Sequence, residues 1–160
     1  MNPKYDLIIW KNDATAKKHL ASWKNGTTGF PIIDASMRQM NNTGYMHNRA
    51  RLIVSSFLVK TLLIDWREGE KYFAQKLVDY DVASNNGNWQ WIAGSGVDSQ
   101  PYFRIFNPWS QSLTHDPDCI YIKTFVPELK DVTSKHIHNW DSCYKNYASI
   151  YPKPIVDYKS

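Results

Sequence analysis

The residues most able to do chemistry sit together in "VDYDVASNNGNWQWIAGSGVDSQPYFRIFNP", which runs from Val78 to Pro108. Asp79 and Asp81 open it as a pair of carboxylates. Such a pair can hold a metal, but no His or Glu stands nearby at ligand spacing. The two can instead accept hydrogen bonds from a ligand or pair with Arg51. Asp, Asn and Gly are also turn residues, so a plain turn explains the same spacing. Asn85 carries an amide that both donates and accepts, which suits the edge of a heteroaromatic ring. Trp89 and Trp91 stand two apart, about 200° around a helix. One can face a buried ligand while the other faces a groove; both can equally be core or interface aromatics.

A second constellation lies in "MHNRARLIVSSFLVKTLLI", Met46 to Ile64. Met46, Ala50, Ile53, Val54, Phe57 and Leu58 recur at helical spacing, so this is the strongest predicted helix. Asn48, Arg51 and Leu52 share its other side at i, i+3 and i+4. With apolar segments on both flanks, that polar side is expected to line a cavity or groove; a solvated face is the plainer alternative. His19, His47, His115, His136 and His138 form no catalytic constellation. Cys119 and Cys143 form no metal or redox motif and suit free thiols in a reducing compartment.

The elements that must position these residues are predicted to be helices. Ala14 to Trp23 reads as a short helix closed by "NGTTG". "FPIIDASMRQMNNTG" follows, with Pro31 suited to a first turn, Gly44 to a C-terminal cap, and Ile33, Met37 and Met40 on one face. "EGEKYFAQKLVDY" reads as a helix with Tyr72, Phe73 and Leu77 inward, and "NWQWIAG" as one or two turns. Tyr102 to Pro108 reads as extended, and Asp118 to Val126 as a last core helix. Beyond Pro127 the pattern weakens. No strand–helix alternation supports a Rossmann-type dinucleotide site. The predicted class is therefore all-α, and 160 residues suggest one domain.

Net charge is +4, which is compatible with a polyanionic partner. Aromatics make up 14% of the chain, which suits either a planar ligand or an aromatic-rich core. No apolar run approaches a membrane span, and the N-terminus lacks the pattern of a signal peptide. A cytoplasmic or nuclear protein that is not secreted and has no membrane partner is expected.

"TGFPIIDASMRQMNNTGYMHNRARLIVSSFLVKTLLIDWREGEKYF" and "DYDVASNNGNWQWIAGSGVDSQPYFRIFNPWSQ" resemble the flavin-binding domain of DNA photolyases and cryptochromes, most closely class I cyclobutane pyrimidine dimer photolyases. The likeness covers roughly Trp23 to Val132. It implies a helical domain that holds FAD and repairs pyrimidine dimers in DNA by light-driven electron transfer to a flipped lesion. By position, the resemblance implies that Arg51, Asp79, Tyr80, Asp81 and Asn85 contact the flavin, with Arg51 pairing Asp79. Asn85 distinguishes photolyases from cryptochromes, which carry Asp or Cys there. Asn48, Arg49, Leu52, Trp91, Arg104 and Gln111 match lesion-side or DNA-side positions. Trp89 and Trp66 match the inner members of the electron-transfer tryptophan chain. Trp10 is the candidate outer member, although its spacing to Trp23 is longer than the family usually shows.

Leu52 and Tyr45 stand where many class I enzymes have Met and Trp. The family's N-terminal α/β antenna domain and its early helices have no counterpart here. On this reading residues 1–132 form a partial FAD-binding helical domain, and 133–160 a largely irregular tail. The expected activity is that of a deoxyribodipyrimidine photo-lyase, a carbon–carbon lyase, once a complementary N-terminal photolyase fragment is supplied. A cryptochrome-type photoreceptor fragment or a non-catalytic remnant is the alternative.

Overall fold

A computed structural model describes residues 14–78, 107–147 and 150–156, and every regular element among them is helical. The first helix, α1, spans Ala14–Asn25 and buries Ala16 and Trp23. Gly26, at φ +70°, turns the chain out of it. Helix α2, Pro31–Thr43, starts with Pro31 at its first turn, where a missing N–H costs nothing. It ends on Gly44 at φ +74°, whose N–H donates to the Met40 carbonyl, as the sequence predicts. Ile33, Met37 and Met40 are fully buried on its inner face.

The predicted helix from Met46 to Ile64 divides in two. Helix α3 is Asn48–Ser56, and a π-helical turn follows over Phe57–Thr61. The cause lies elsewhere in the chain: the Trp23 indole N–H donates to the Val54 carbonyl at 3.0 Å. A side chain entering the backbone ladder is a recognised cause of such a break. The wider turn has a packing benefit. Phe57, Leu58, Val59, Leu62 and Ile64 are all buried, more than one face of an ordinary α-helix holds.

Helix α4, Trp66–Lys76, is capped by Asp65, whose carboxylate accepts from Arg67 N–H. Phe73 and Leu77 are buried and Tyr72 is half-buried. Residues 102–106 of the predicted extended run lie outside the described residues, and its last member, Pro108, opens helix α5, Pro108–His115. Helix α6 is Ile120–Phe125, shorter than predicted and not the last. Both Asp116 carboxylate oxygens cap it by accepting from the Tyr121 and Ile122 N–H groups.

Beyond Pro127 come a short 3-10 turn, α7 at Ser134–His138 and α8 at Trp140–Cys143. The run 150–156 has no regular structure but packs as a strap. Tyr151 is buried, Trp140 is fully buried, and the Trp140 indole donates to the Pro152 carbonyl. Ile155 N–H donates to the Thr28 carbonyl, beside Gly29 at φ +80°. A Cβ on Gly29 would meet the Lys153 carbonyl oxygen at 2.3 Å, so this close crossing requires glycine.

Helix α2 is the hub, packing on α1, α3, α5 and α6. Its first-turn Asp34 is fully buried. The carboxylate accepts from Thr28 N–H, the Thr28 hydroxyl, Gly29 N–H and the Tyr151 hydroxyl. One side chain thereby joins the start of α2, the turn before it and the C-terminal strap.

Candidate functional site

Helix α3 presents the candidate ligand-facing residues. His47 adopts a non-helical backbone and its Nδ1 accepts from Arg49 N–H, which starts the helix at Asn48. The helix then sets Asn48, Arg51 and Leu52 on one side. Asn48 and Arg49 are exposed, while Arg51 and Leu52 are half-buried. Arg51 Nε donates to the Met46 carbonyl at 2.7 Å, and its guanidinium lies 5.9 Å from the centre of the Tyr45 ring. Both contacts fold the cation back over the N-terminal end of α3. A guanidinium held this way offers a planar set of donors to a carboxylate or a heterocycle.

Trp66 is buried at the first position of α4. The Arg67 guanidinium lies 5.2 Å from its ring centre and is itself paired with Asp65 at 3.2 Å. Gln111 is buried in α5, whose start is fixed by the Asn107 side chain accepting from Trp109 and Ser110 N–H. Trp109 stacks on Phe30 with ring centres 4.9 Å apart. Thus α5 joins the same core as α2, and Arg51, Leu52, Trp66 and Gln111 are all held by packed helices. Trp10, Asp79, Tyr80, Asp81, Asn85, Trp89, Trp91 and Arg104 lie outside the described residues. Among the described residues, no group of three His, Cys, Asp or Glu side chains can hold a metal. Nor is any helix among them long and apolar enough to cross a membrane.

Two roles were not read from sequence, His47 as a cap and Asn107 as a helix start, and Tyr45, noted only as a departure from the family, is a ring beside Arg51. The His47 signal is weak and local. Asn107 carried a good one: Asn before Pro marks a helix start, and it was obscured by the aromatic run preceding it.

The comparisons agree with this architecture. The chain belongs to the family described as the FAD binding domain of DNA photolyase, which matches residues 1–160. Among its relatives, the deoxyribodipyrimidine photo-lyase of Buchnera aphidicola is 56% identical over 154 residues, covering 94% of this chain and 31% of that protein. The enzyme of the same name from Escherichia coli is 51% identical over 156 residues, covering 96% of this chain and 32% of that protein. Of solved structures, the archaeal photolyase of Sulfolobus tokodaii, described with two FAD molecules, superposes with a TM-score of 0.83 at 54% identity, covering 96% of this chain and 34% of the other. A Synechocystis cryptochrome gives a TM-score of 0.82 at 40% identity, covering 94% and 32%. The chain therefore spans about a third of the length of the relatives it matches.

Proposed function

We propose that this chain forms the flavin- and lesion-facing part of a deoxyribodipyrimidine photo-lyase that acts on cyclobutane pyrimidine dimers in DNA. The observation that carries the reading is the identity of about half or more to photo-lyases across nearly the whole chain. When bound, FAD supplies light-driven donation and recovery of one electron. The remaining tasks fall to the chain's own residues. Arg51, with Asp79, Tyr80, Asp81 and Asn85, holds the flavin. Asn48, Arg49, Leu52, Trp91, Arg104 and Gln111 hold the flipped dimer and its strand. Trp66, with Trp89 and Trp10, passes electrons inward to the flavin. Arg51 fits such a role because its guanidinium plane is fixed before any ligand arrives.

Residues 1–132 are the proposed catalytic part, and a complementary N-terminal photolyase fragment is the proposed protein partner. The site is expected to need residues from that partner as well, so the chain alone should bind FAD weakly. Gel filtration of the chain with FAD should leave little flavin co-eluting. Adding the upstream segment of a relative, such as the E. coli enzyme, should restore it. Tight, saturable binding by the chain alone would overturn the need for that partner.

A further inference from the structure

A continuous line of aromatic rings crosses the C-terminal region. His136 of α7 meets Tyr147 edge-on, with ring centres 5.7 Å apart. Tyr147 stacks on Trp140 of α8 at 5.4 Å, and Trp140 meets Tyr151 of the strap edge-on at 5.5 Å. All three spacings are those of direct aromatic contact. His136 and Tyr147 are half-buried, whereas Trp140 and Tyr151 are buried, so the line runs from the surface inward.

Each phenol on this line faces a base. The Tyr147 hydroxyl lies 2.6 Å from His136 Nδ1, within reach for proton transfer, and an imidazole carrying its proton on Nε2 accepts there. The Tyr151 hydroxyl donates to the Asp34 carboxylate. With its carboxyl at about 6, Asp34 is a base at neutral pH. Trp140 differs. Its indole N–H donates at 2.8 Å to the Pro152 carbonyl, which holds the hydrogen bond but takes no proton. A phenol gives up an electron readily only if its proton leaves too, whereas an indole can lose an electron and keep its proton. Packing alone requires rings in contact and any acceptor for each hydroxyl; here both acceptors are bases. The arrangement suits a positive hole that rests on the tyrosines and passes through the tryptophan.

We propose that Tyr147, Trp140 and Tyr151 form a relay that carries one-electron oxidation from the surface to Tyr151. The oxidant is an outer-sphere one-electron acceptor in solution. It takes an electron from Tyr147 as the phenol proton moves to His136. Trp140 then gives an electron to the Tyr147 radical, which recovers its proton from His136. Tyr151 gives an electron to the Trp140 radical cation, and its own proton passes to Asp34. In sum, Tyr151 loses one electron, Asp34 gains one proton and the oxidant gains one electron. Trp10, Trp66 and Trp89 take no part, so the relay does not depend on the proposed flavin reading.

Flash oxidation of the full chain by photogenerated tris(bipyridine)ruthenium(III), with persulfate as the sacrificial acceptor, tests it. Electron paramagnetic resonance should show a long-lived neutral tyrosyl radical. Tyr151→Phe, Trp140→Phe and Tyr147→Phe should each lower that signal severalfold. Asp34→Asn should shorten its lifetime, because an amide cannot take the proton. Tyr121→Phe, outside the line, should leave the signal at the wild-type level. Far-UV circular dichroism shows which variants are folded, and Tyr147→Phe at a half-buried site keeps the test decisive if Trp140→Phe loosens the core. The proposal is wrong if the wild-type chain gives no long-lived tyrosyl signal. It is equally wrong if Tyr151→Phe, Tyr147→Phe or a folded Trp140→Phe variant keeps that signal.

Discussion

Arg51 and Asp34 are two charged side chains held in opposite ways. Arg51 is a cation whose Nε is tied to the Met46 carbonyl while its guanidinium lies beside Tyr45. Arg51→Ala should lower FAD affinity of the completed protein by about tenfold or more, since hydrogen bonds to a charged group are lost. Flavin fluorescence titration reads that change, and an unchanged far-UV spectrum would show that the helices persist. Asp34 is an acid buried under Tyr151. Burial pushes its carboxyl up to about 6 from 3.8, although its four hydrogen bonds pull it down. The sign follows from the folded value lying above the unfolded one. Asp34's contribution to stability is fully present below about pH 4 and is lost as pH rises through about 6. The total loss is of the order of 3 kcal/mol. Urea unfolding of the chain between pH 4 and 8 should show that decline, and Asp34→Asn should flatten it. A pH dependence that Asp34→Asn leaves unchanged would contradict the burial argument.

Among the elements, local signals were readable and remote ones were not. Pro31 and Gly44 bracket α2 as read, because first-turn proline and left-handed glycine act through their own backbones. The inward set Ile33, Met37 and Met40 followed from spacing alone. The π turn after Ser56 did not, because its cause is the indole of Trp23, far back in sequence. The C-terminal region was equally hidden. Its periodicity is weak, yet Trp140 is fully buried and Tyr151 reaches Asp34 across most of the chain. Removing this region should therefore unseat α2. Trp140→Ala should destabilise the chain by about 3–5 kcal/mol, as for other large core truncations. Thermal melting would reveal it; a loss under about 1 kcal/mol would mean the strap is peripheral. In the candidate site, the helical grouping of Asn48, Arg51 and Leu52 could be read from spacing, whereas Arg51's tether to Met46 required the fold.

At the scale of the molecule, α1, α3, α5 and α6 pack on α2, and α3 carries the proposed flavin- and lesion-facing residues. The net charge of +4 suits an anionic partner without selecting one. The relatives are about three times as long as the part they share with this chain, so the proposed activity draws on residues beyond the matched third. The most direct test is light-driven repair of an oligonucleotide carrying a single thymine dimer. The chain would be combined with reduced FAD and the upstream segment of the E. coli enzyme. The account predicts restored thymines in the light, none in the dark, and none without the chain. If the mixture assembles and retains flavin yet leaves the dimer intact in the light, the proposal that this chain builds a photo-lyase site is contradicted.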